Sequence, residues 1–374
     1  MKSNKNPVIA ITGGHSTGIA LVEEIQKTHP QWQIIYLGSK HSFEGSGAAS
    51  FEYNQLSKRS DLKFISIISG RLQRKFTVST IPSLLKIPIG FLQSLLILAT
   101  RQPTITVSFG GYVSTPVVIA SWLLAIPVVS HEQTSSIGLA NKINLFFSKI
   151  IAVSFPSTLR SLPAKKAVYT GNLILNLVKN KTDPGSLAWL ESKAEKTKTP
   201  VIYITGGKTG SSFINGLVKE SLENLTKRYI VVHQTGSLEY EKYRKIKMTN
   251  YHPLETLPFK EQGWLLNNAK IVVSRGGANI VFELATIKKP AVVIPIPWSS
   301  GNEQFKNCQF LSEIGLGVCL DQYKIDSGQL LKSIDQLAKK IDGGLNIKKE
   351  NIKNGRKQLV AEIEKIIDEK NSKN

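Results

Sequence analysis

The sequence predicts an α/β protein built from two parallel-sheet domains, and three observations carry that prediction. Its 374 residues exceed the ~100–200 that one domain usually holds. Hydrophobic residues make up 41% and charged residues 20%, enough apolar material for two buried cores and unlike a disordered chain. Two segments, finally, occur twice in the same order. Val8-Ile9-Ala10-Ile11-Thr12-Gly13-Gly14 recurs as Val201-Ile202-Tyr203-Ile204-Thr205-Gly206-Gly207, and Val107-Ser108-Phe109-Gly110-Gly111 recurs as Val273-Ser274-Arg275-Gly276-Gly277.

Each element follows from its local pattern. Val8–Ile11 and Val201–Ile204 are continuous apolar runs, as expected of strands covered on both faces of a parallel sheet. The glycine pairs behind them open helical patterns. The patterns after Gly110-Gly111 and Gly276-Gly277 end near Pro127 and Pro290, and the next strands are Val128-Val129 and Ala291–Ile294. Strand, glycine turn, helix and strand make a βαβ unit, so two such sets imply two Rossmann-like domains. Asn180–Pro200 is polar and lysine-rich with a Pro-Gly turn and reads as the junction region. The N-terminal domain is placed at residues 1–170 and the C-terminal domain at 171–374. Ile352, Leu359, Ile363, Ile366 and Ile367 recur at helical spacing among charges, which predicts a closing amphipathic helix that packs back toward the N-terminal domain.

Charge and targeting narrow the function. Forty-eight Lys and Arg against 27 Asp and Glu leave a formal charge of +21, so an anionic partner is expected. Nucleic acid is disfavoured because the basic residues are dispersed and no recognised binding motif is present. Cys308 and Cys319 are the only cysteines and have no Cys/His cluster around them, which argues against a zinc site and for buried thiols in a reducing compartment. The apolar stretches Ile87–Ala99 and Val117–Val129 fall short of the ~20 residues a spanning helix needs. Any membrane contact should therefore be peripheral, with Arg71, Arg74, Lys75, Phe76 and Lys86, beside the apolar Ile81–Leu98, as the contact residues and an anionic surface as the partner.

A glycine turn between strand and helix lets main-chain N–H groups approach a phosphate, where the helix N-terminus adds about half a positive charge. Gly206, Gly207, Lys208, Thr209 and Gly210 suit that role, although the loop is neither a Walker A sequence nor a full G-x-G-x-x-G. In open α/β sheets ligands bind outside the carboxyl ends of the strands, so a cleft between the two domains is the expected site.

These residues resemble the MurG family. Gly110–Ser114, His131-Glu132-Gln133, Gly138–Lys142, Thr170-Gly171-Asn172, Ile204–Asn215, His233–Gly236, Ser274–Pro290 and Asn302–Asn307 follow its motifs in order, across roughly residues 8–365. The resemblance implies a GT-B fold, α/β with two Rossmann-like domains, parallel sheets and an interdomain cleft. It implies a peripheral enzyme on the cytoplasmic face of the cell membrane. That enzyme would transfer N-acetylglucosamine from UDP-N-acetylglucosamine to the muramoyl 4-hydroxyl of an undecaprenyl-diphosphate acceptor, lipid I, in peptidoglycan synthesis. Another GT-B transferase with a different acceptor, and a noncatalytic sugar-nucleotide binder, stand as alternatives.

The resemblance assigns Glu283 to the ribose hydroxyls, Gln304 to the sugar hydroxyls with Asn302 and Asn307 beside it, and the backbone at Phe259 to the uracil edge. Arg275, Gly276 and Gly277 complete the donor set, with Arg275 suited to a phosphate oxygen or to the loop itself. Gly13, Gly14, Gly110, Gly111, Tyr112, Thr134 and Asn141 form the acceptor set. His15, at a helix N-terminus that favours the neutral imidazole, is the candidate base, and Glu132 either orients the acceptor or stabilises its loop. The family's arginine after Gly171-Asn172 is replaced by Leu175, and Lys208 in the donor turn is expected to supply the missing cation. The first glycine loop is short, and Thr134 replaces an asparagine. No Asp-x-Asp occurs in the chain, so no cofactor and no obligatory metal are expected.

Overall fold

The structure, a computed structural model, describes residues 6–41, 49–68, 70, 80–175, 184–348 and 352–373. The side chains of His15, residues 80–84 and residue 373 lie outside that description, as do Arg71, Arg74, Lys75 and Phe76. The chain forms two compact units, residues 1–175 with 353–374, and residues 176–352.

In the first unit, β1 (Val8–Thr12), α1 (His15–Thr28), β2 (Gln33–Gly38), α2 (Phe51–Leu56), β3 (Lys63–Ser66), α3 (Thr80–Arg101) and β4 (Ile105–Ser108) come first. They are followed by α4 (Ser114–Leu123), β5 (Val128–Glu132), α5 (Leu139–Phe147), β6 (Ile150–Val153) and β7 (Ala167–Tyr169). The strands form one parallel sheet in the order β3-β2-β1-β4-β5-β6-β7. Ile9, Ile11, Val107, Val129 and Ile151 are fully buried at its centre, which is why these strands read as unbroken apolar runs.

The second unit contains α6 (Ala188–Thr197), β8 (Val201–Thr205), α7 (Ser212–Thr226), β9 (Ile230–Gln234), α8 (Tyr240–Tyr243), β10 (Tyr251–Leu254) and α9 (Phe259–Asn268). It continues with β11 (Ile271–Ser274), α10 (Ala278–Ile287), β12 (Ala291–Val293), α11 (Glu303–Glu313), β13 (Gly317–Cys319) and α12 (Ser327–Asp342). Its parallel sheet runs β10-β9-β8-β11-β12-β13. Ile202, Ile204, Val231, Val273 and Val292 pack with α7 and α12 residues such as Val218 and Ile334 in one buried cluster.

Strand order reverses between β1 and β4 in one unit and between β8 and β11 in the other. The last residues of those strands pair directly, Thr12 with Ser108 and Thr205 with Ser274. All four glycine turns therefore leave the carboxyl edge in adjacent pairs, at the switch point where such sheets bind ligands.

Several expectations need adjustment. The boundary expected after residue 170 falls after Leu175, and the closing helix α13 (Gly355–Lys373) belongs to the first unit. Arg356 docks it on α1, meeting Glu23 and Glu24 at 3.0 Å each. The junction region Asn180–Pro200 contains α6, whose Leu190 is buried. Cys308 and Cys319, expected as separate thiols, are joined as a disulfide between α11 and β13, Cα atoms 5.7 Å apart.

Candidate active site

In the second unit the turn after β8 is shaped by its packing. Gly210 has φ +81° and lies against the Thr235 carbonyl, so a Cβ there would collide with main chain whatever the neighbouring side chains do. Lys208 is exposed at the tip, its Nζ 4.7 Å from the centre of the Phe259 ring. That ring opens α9, which brings the expected cation and the expected uracil-reading segment together.

The turn after β11 leads into α10, whose N-cap Gly277 supplies no side-chain cap, so the helix presents main-chain donors. Glu283 lies on the second turn of α10. Its residue keeps a partly accessible edge, but the surrounding protein strips water from the carboxyl and pushes its pKa up to about 7.

The neighbouring polar side chains hold the turns. Arg275 donates through NH1 to the Ile294 carbonyl (3.0 Å) and Gln322 Oε1 (2.7 Å), and through NH2 to Ser211 Oγ (2.6 Å). Burial lowers its pKa to about 10, which leaves it charged at neutral pH. The terminal nitrogens thus tie three segments of this unit together, which is the loop-holding one of its two expected roles. Gln304 Oε1 accepts from Gly276 N (3.2 Å) and Ile296 N (3.0 Å), which binds α11 to the turn. A sugar hydroxyl must therefore be met by its Nε2. Asn307 is 1% exposed and donates to the Gly276 carbonyl at 2.9 Å, so it holds the turn. Asn302 is exposed at the N-cap of α11, with φ 56°.

In the first unit the paired turns are Gly13-Gly14 and Gly110-Gly111. Tyr36 on β2 donates its hydroxyl to the Gly13 carbonyl at 2.7 Å, and a Cβ on Gly13 would strike the Gly110 carbonyl. Beside them lies a cavity of about 790 Å³. Gly13, Gly14, Gly110, Gly111 and Tyr112 line it as expected, together with Ile87, Pro88 and Phe91 of α3, Ile119 of α4, and Leu139 and Ile143 of α5. The polar lining residues Tyr36, Ser39, His41 and Glu52 were not anticipated. Their only sequence signal is that Gly38-Ser39 ends a strand on the same edge.

Thr134, Asn141 and Glu132 do not line that cavity. Glu132 is buried, and its Oε1 accepts from Thr134 N (3.0 Å) and Oγ1 (2.9 Å). Its Oε2 accepts from Gly138 N (2.9 Å) and Asn141 Nδ2 (3.0 Å). With both oxygens engaged, Glu132 staples the loop between β5 and α5, the second of the two roles expected of it. His131, buried and pushed down to about 4, donates Nε2–H to the Gly171 carbonyl at 3.1 Å. His15 is the first residue of α1, whose N-cap Gly14 again supplies no side-chain cap.

Leu85, Ile89, Leu92 and Leu96 form an exposed stripe on α3, at spacings of four, three and four. Trp122, Leu139 and Phe146 are exposed on α4 and α5 of the same unit. Lys86, the one expected membrane contact among the described residues, is partly buried on α3. Among the described residues no helix is long and apolar enough to cross a membrane, and no His, Cys, Asp and Glu cluster has the make-up of a metal site.

Comparison with known proteins agrees with this geometry. The family model of the glycosyltransferase family 28 N-terminal domain matches residues 10–153, and that of the C-terminal domain matches residues 201–363. A Treponema denticola protein named UDP-N-acetylglucosamine–N-acetylmuramyl-(pentapeptide) pyrophosphoryl-undecaprenol N-acetylglucosamine transferase is 34% identical over 81% of this chain and 80% of its own length. A Clostridium botulinum protein of the same name is 30% identical over 96% of this chain and 98% of its own. In fold, the chain is similar to the crystal structure of Acinetobacter baumannii MurG (TM-score 0.69, 23% identity, 96% and 99% of the two chains). It is also similar to a UDP-GlcNAc 2-epimerase from Neisseria meningitidis (TM-score 0.65, 14% identity, 96% and 99%), so the fold alone does not fix the reaction. The sequence relatives do distinguish the two: the chain has the GT-B fold and belongs to the MurG family of glycosyltransferases.

Proposed function

We propose that the protein transfers N-acetylglucosamine from UDP-N-acetylglucosamine to the muramoyl hydroxyl of an undecaprenyl-diphosphate acceptor, converting lipid I to lipid II. The observation that carries this reading is the pairing of two glycine turns at the switch point of the second unit, one leading into the uncapped α10, with Glu283 on its second turn. Main-chain donors there suit the diphosphate, and the Glu283 carboxylate suits a vicinal diol, since two oxygens accept from two hydroxyls.

The acceptor hydroxyl attacks the anomeric carbon as the bond from that carbon to the diphosphate oxygen breaks, with inversion. The hydroxyl proton passes to a base, for which His15 is the candidate, and UDP leaves with the bonding electrons. The charge that develops on the diphosphate is stabilised by the α10 N-terminus and by Lys208. Arg275 contributes indirectly, through the turns it holds.

The 790 Å³ cavity of the first unit supports a lipid-linked acceptor, because its wall is largely apolar and includes the glycine turns. The exposed α3 stripe with Trp122 and Phe146 supports peripheral contact with a membrane, and the net charge of +21 favours an anionic one, which suits the cytoplasmic face.

Turnover of UDP-N-acetylglucosamine with a lipid I analogue tests the reading on wild type, Glu283→Ala and His15→Ala. The expected result is turnover by wild type, a raised donor KM in Glu283→Ala, and a kcat at least a hundredfold lower in His15→Ala. Donor binding by wild type without turnover would make the protein a noncatalytic binder.

A further inference from the structure

The motif His233-Gln234-Thr235-Gly236 has no part in the reading above, yet it lies directly beneath the donor turn. Gln234 ends β9 and is buried. Its Oε1 accepts from the Tyr203 hydroxyl at 2.7 Å, and its Nε2 donates to the Gly207 carbonyl at 3.1 Å. A carbonyl can only accept, so the amide has one orientation and Tyr203 must donate to it. Around this contact the motif is anchored on every side. His233 bridges Tyr251 Oη and Asn215 Oδ1 at 3.0 Å each, and Asn215 Nδ2 donates to the Thr235 carbonyl at 3.0 Å. Gly236 and Gly210 meet so closely that neither has room for a Cβ.

We propose that Gln234 is a positioning residue for the donor, acting through the Gly207–Lys208 peptide. That peptide is trans, so its carbonyl and its N–H point in opposite directions. A Gly207 carbonyl held toward the sheet by Gln234, and closed onto Gly210 N at 3.1 Å, aims the Lys208 N–H to the open side of the turn. Gly207, at φ +87°, is a residue whose flanking peptide would otherwise rotate at little cost. Tyr203 is the next member of the chain, because it keeps the amide from turning its oxygen to the carbonyl. The inference rests on this turn being the donor site.

Binding of UDP-N-acetylglucosamine to the full chain by calorimetry, with steady-state kinetics on a lipid I analogue, tests it in Gln234→Met and Gln234→Glu. Gln234→Met should raise donor Kd and KM about tenfold and leave the acceptor KM within twofold. Gln234→Glu should bind the donor worse than Gln234→Met at pH 8, where a carboxylate opposes the carbonyl. Its Kd relative to wild type should recover toward pH 5.5, where a protonated carboxyl donates to Gly207 in place of the amide. A purely structural role would raise donor and acceptor constants together with a lowered Tm and no pH recovery, and that result overturns the proposal. So does wild-type donor affinity in both variants. Absence of donor binding by wild type would instead overturn the donor reading itself, and the inference with it.

Discussion

Replacing Glu283 with Gln should stabilise the free protein above neutral pH while weakening its hold on the donor. Burial lifts the Glu283 carboxyl to about 7, whereas in the unfolded chain it ionises near the ordinary glutamate value of ~4.3. A group whose pKa is raised by folding supports stability fully below its unfolded pKa, and that support is lost as pH rises toward the folded one. The gap amounts to ~3.7 kcal/mol, nearly all of it lost at pH 8, but only ~1 kcal/mol has been lost at pH 5. The Gln variant should therefore gain ~2.6 kcal/mol relative to wild type between pH 5 and pH 8, which for a domain of this size is a Tm difference of ~5–10 °C. Scanning calorimetry of both proteins without ligand measures it. Donor binding moves the other way: the ribose contact needs the carboxylate, so wild-type affinity should rise with pH and level off near pH 7, with a proton released on binding. In Glu283→Gln that slope should vanish and the affinity stay low. A Tm difference that is the same at pH 5 and pH 8 would refute the desolvation argument, and a retained pH slope in the variant would refute the assignment of that slope to Glu283.

Lys208→Ala should raise the donor KM severalfold with little change in Tm, since the ammonium sits exposed over Phe259, and an unchanged KM would reject its role as the substitute cation. Arg356→Met should cost ~3–5 kcal/mol in denaturant unfolding, because Glu24 and the partly buried Glu23 lose the buried guanidinium that pairs with both. A loss below ~1 kcal/mol would show that the pair does not hold α13 on α1. Leu92→Glu combined with Leu96→Glu should abolish sedimentation with anionic vesicles at low salt while leaving turnover of a water-soluble acceptor analogue intact. Unaltered sedimentation would place the membrane contact elsewhere.

The fold was legible because its signals are local. A strand covered on both faces reads as an apolar run, and a glycine pair behind it marks a turn whatever the distant residues do, so β1, β4, β8 and β11 and their turns could be placed from the sequence. The side-chain roles were less legible, for a physical reason. Glu132, Arg275 and Asn307 are polar residues beside glycine turns, and a residue that touches a ligand has the same local signature as one that holds the turn which touches it. What separates them is the partner: Thr134 and Asn141 for Glu132, Ser211 and Ile294 for Arg275, Gly276 for Asn307. Such partners lie on other elements, up to 64 residues away in the case of Arg275 and Ser211. The α3 stripe was ambiguous for a related reason. Phe91, Leu95 and Leu98 face the core while Leu92 and Leu96 face out, and an apolar helix gives no sequence periodicity to tell the two sides apart.

The two units hold equivalent turns with unrelated groups. In the first, a tyrosine hydroxyl from β2 reaches the Gly13 carbonyl directly; in the second, Tyr203 on β8 acts through the Gln234 amide on the Gly207 carbonyl. Gly276 is held at both its N–H and its carbonyl by Gln304 and Asn307 of α11. In each case a side chain fixes a carbonyl or an amide on the inner side of a turn, which leaves the main-chain donors on the outer side for a ligand. Main-chain donors cannot be mutated away, so a chain of this kind can change its turn-holding residues freely, provided each carbonyl keeps a donor. The sheet edge sets where the main-chain donors stand, and Tyr36, Gln234, Gln304 and Asn307 keep them there.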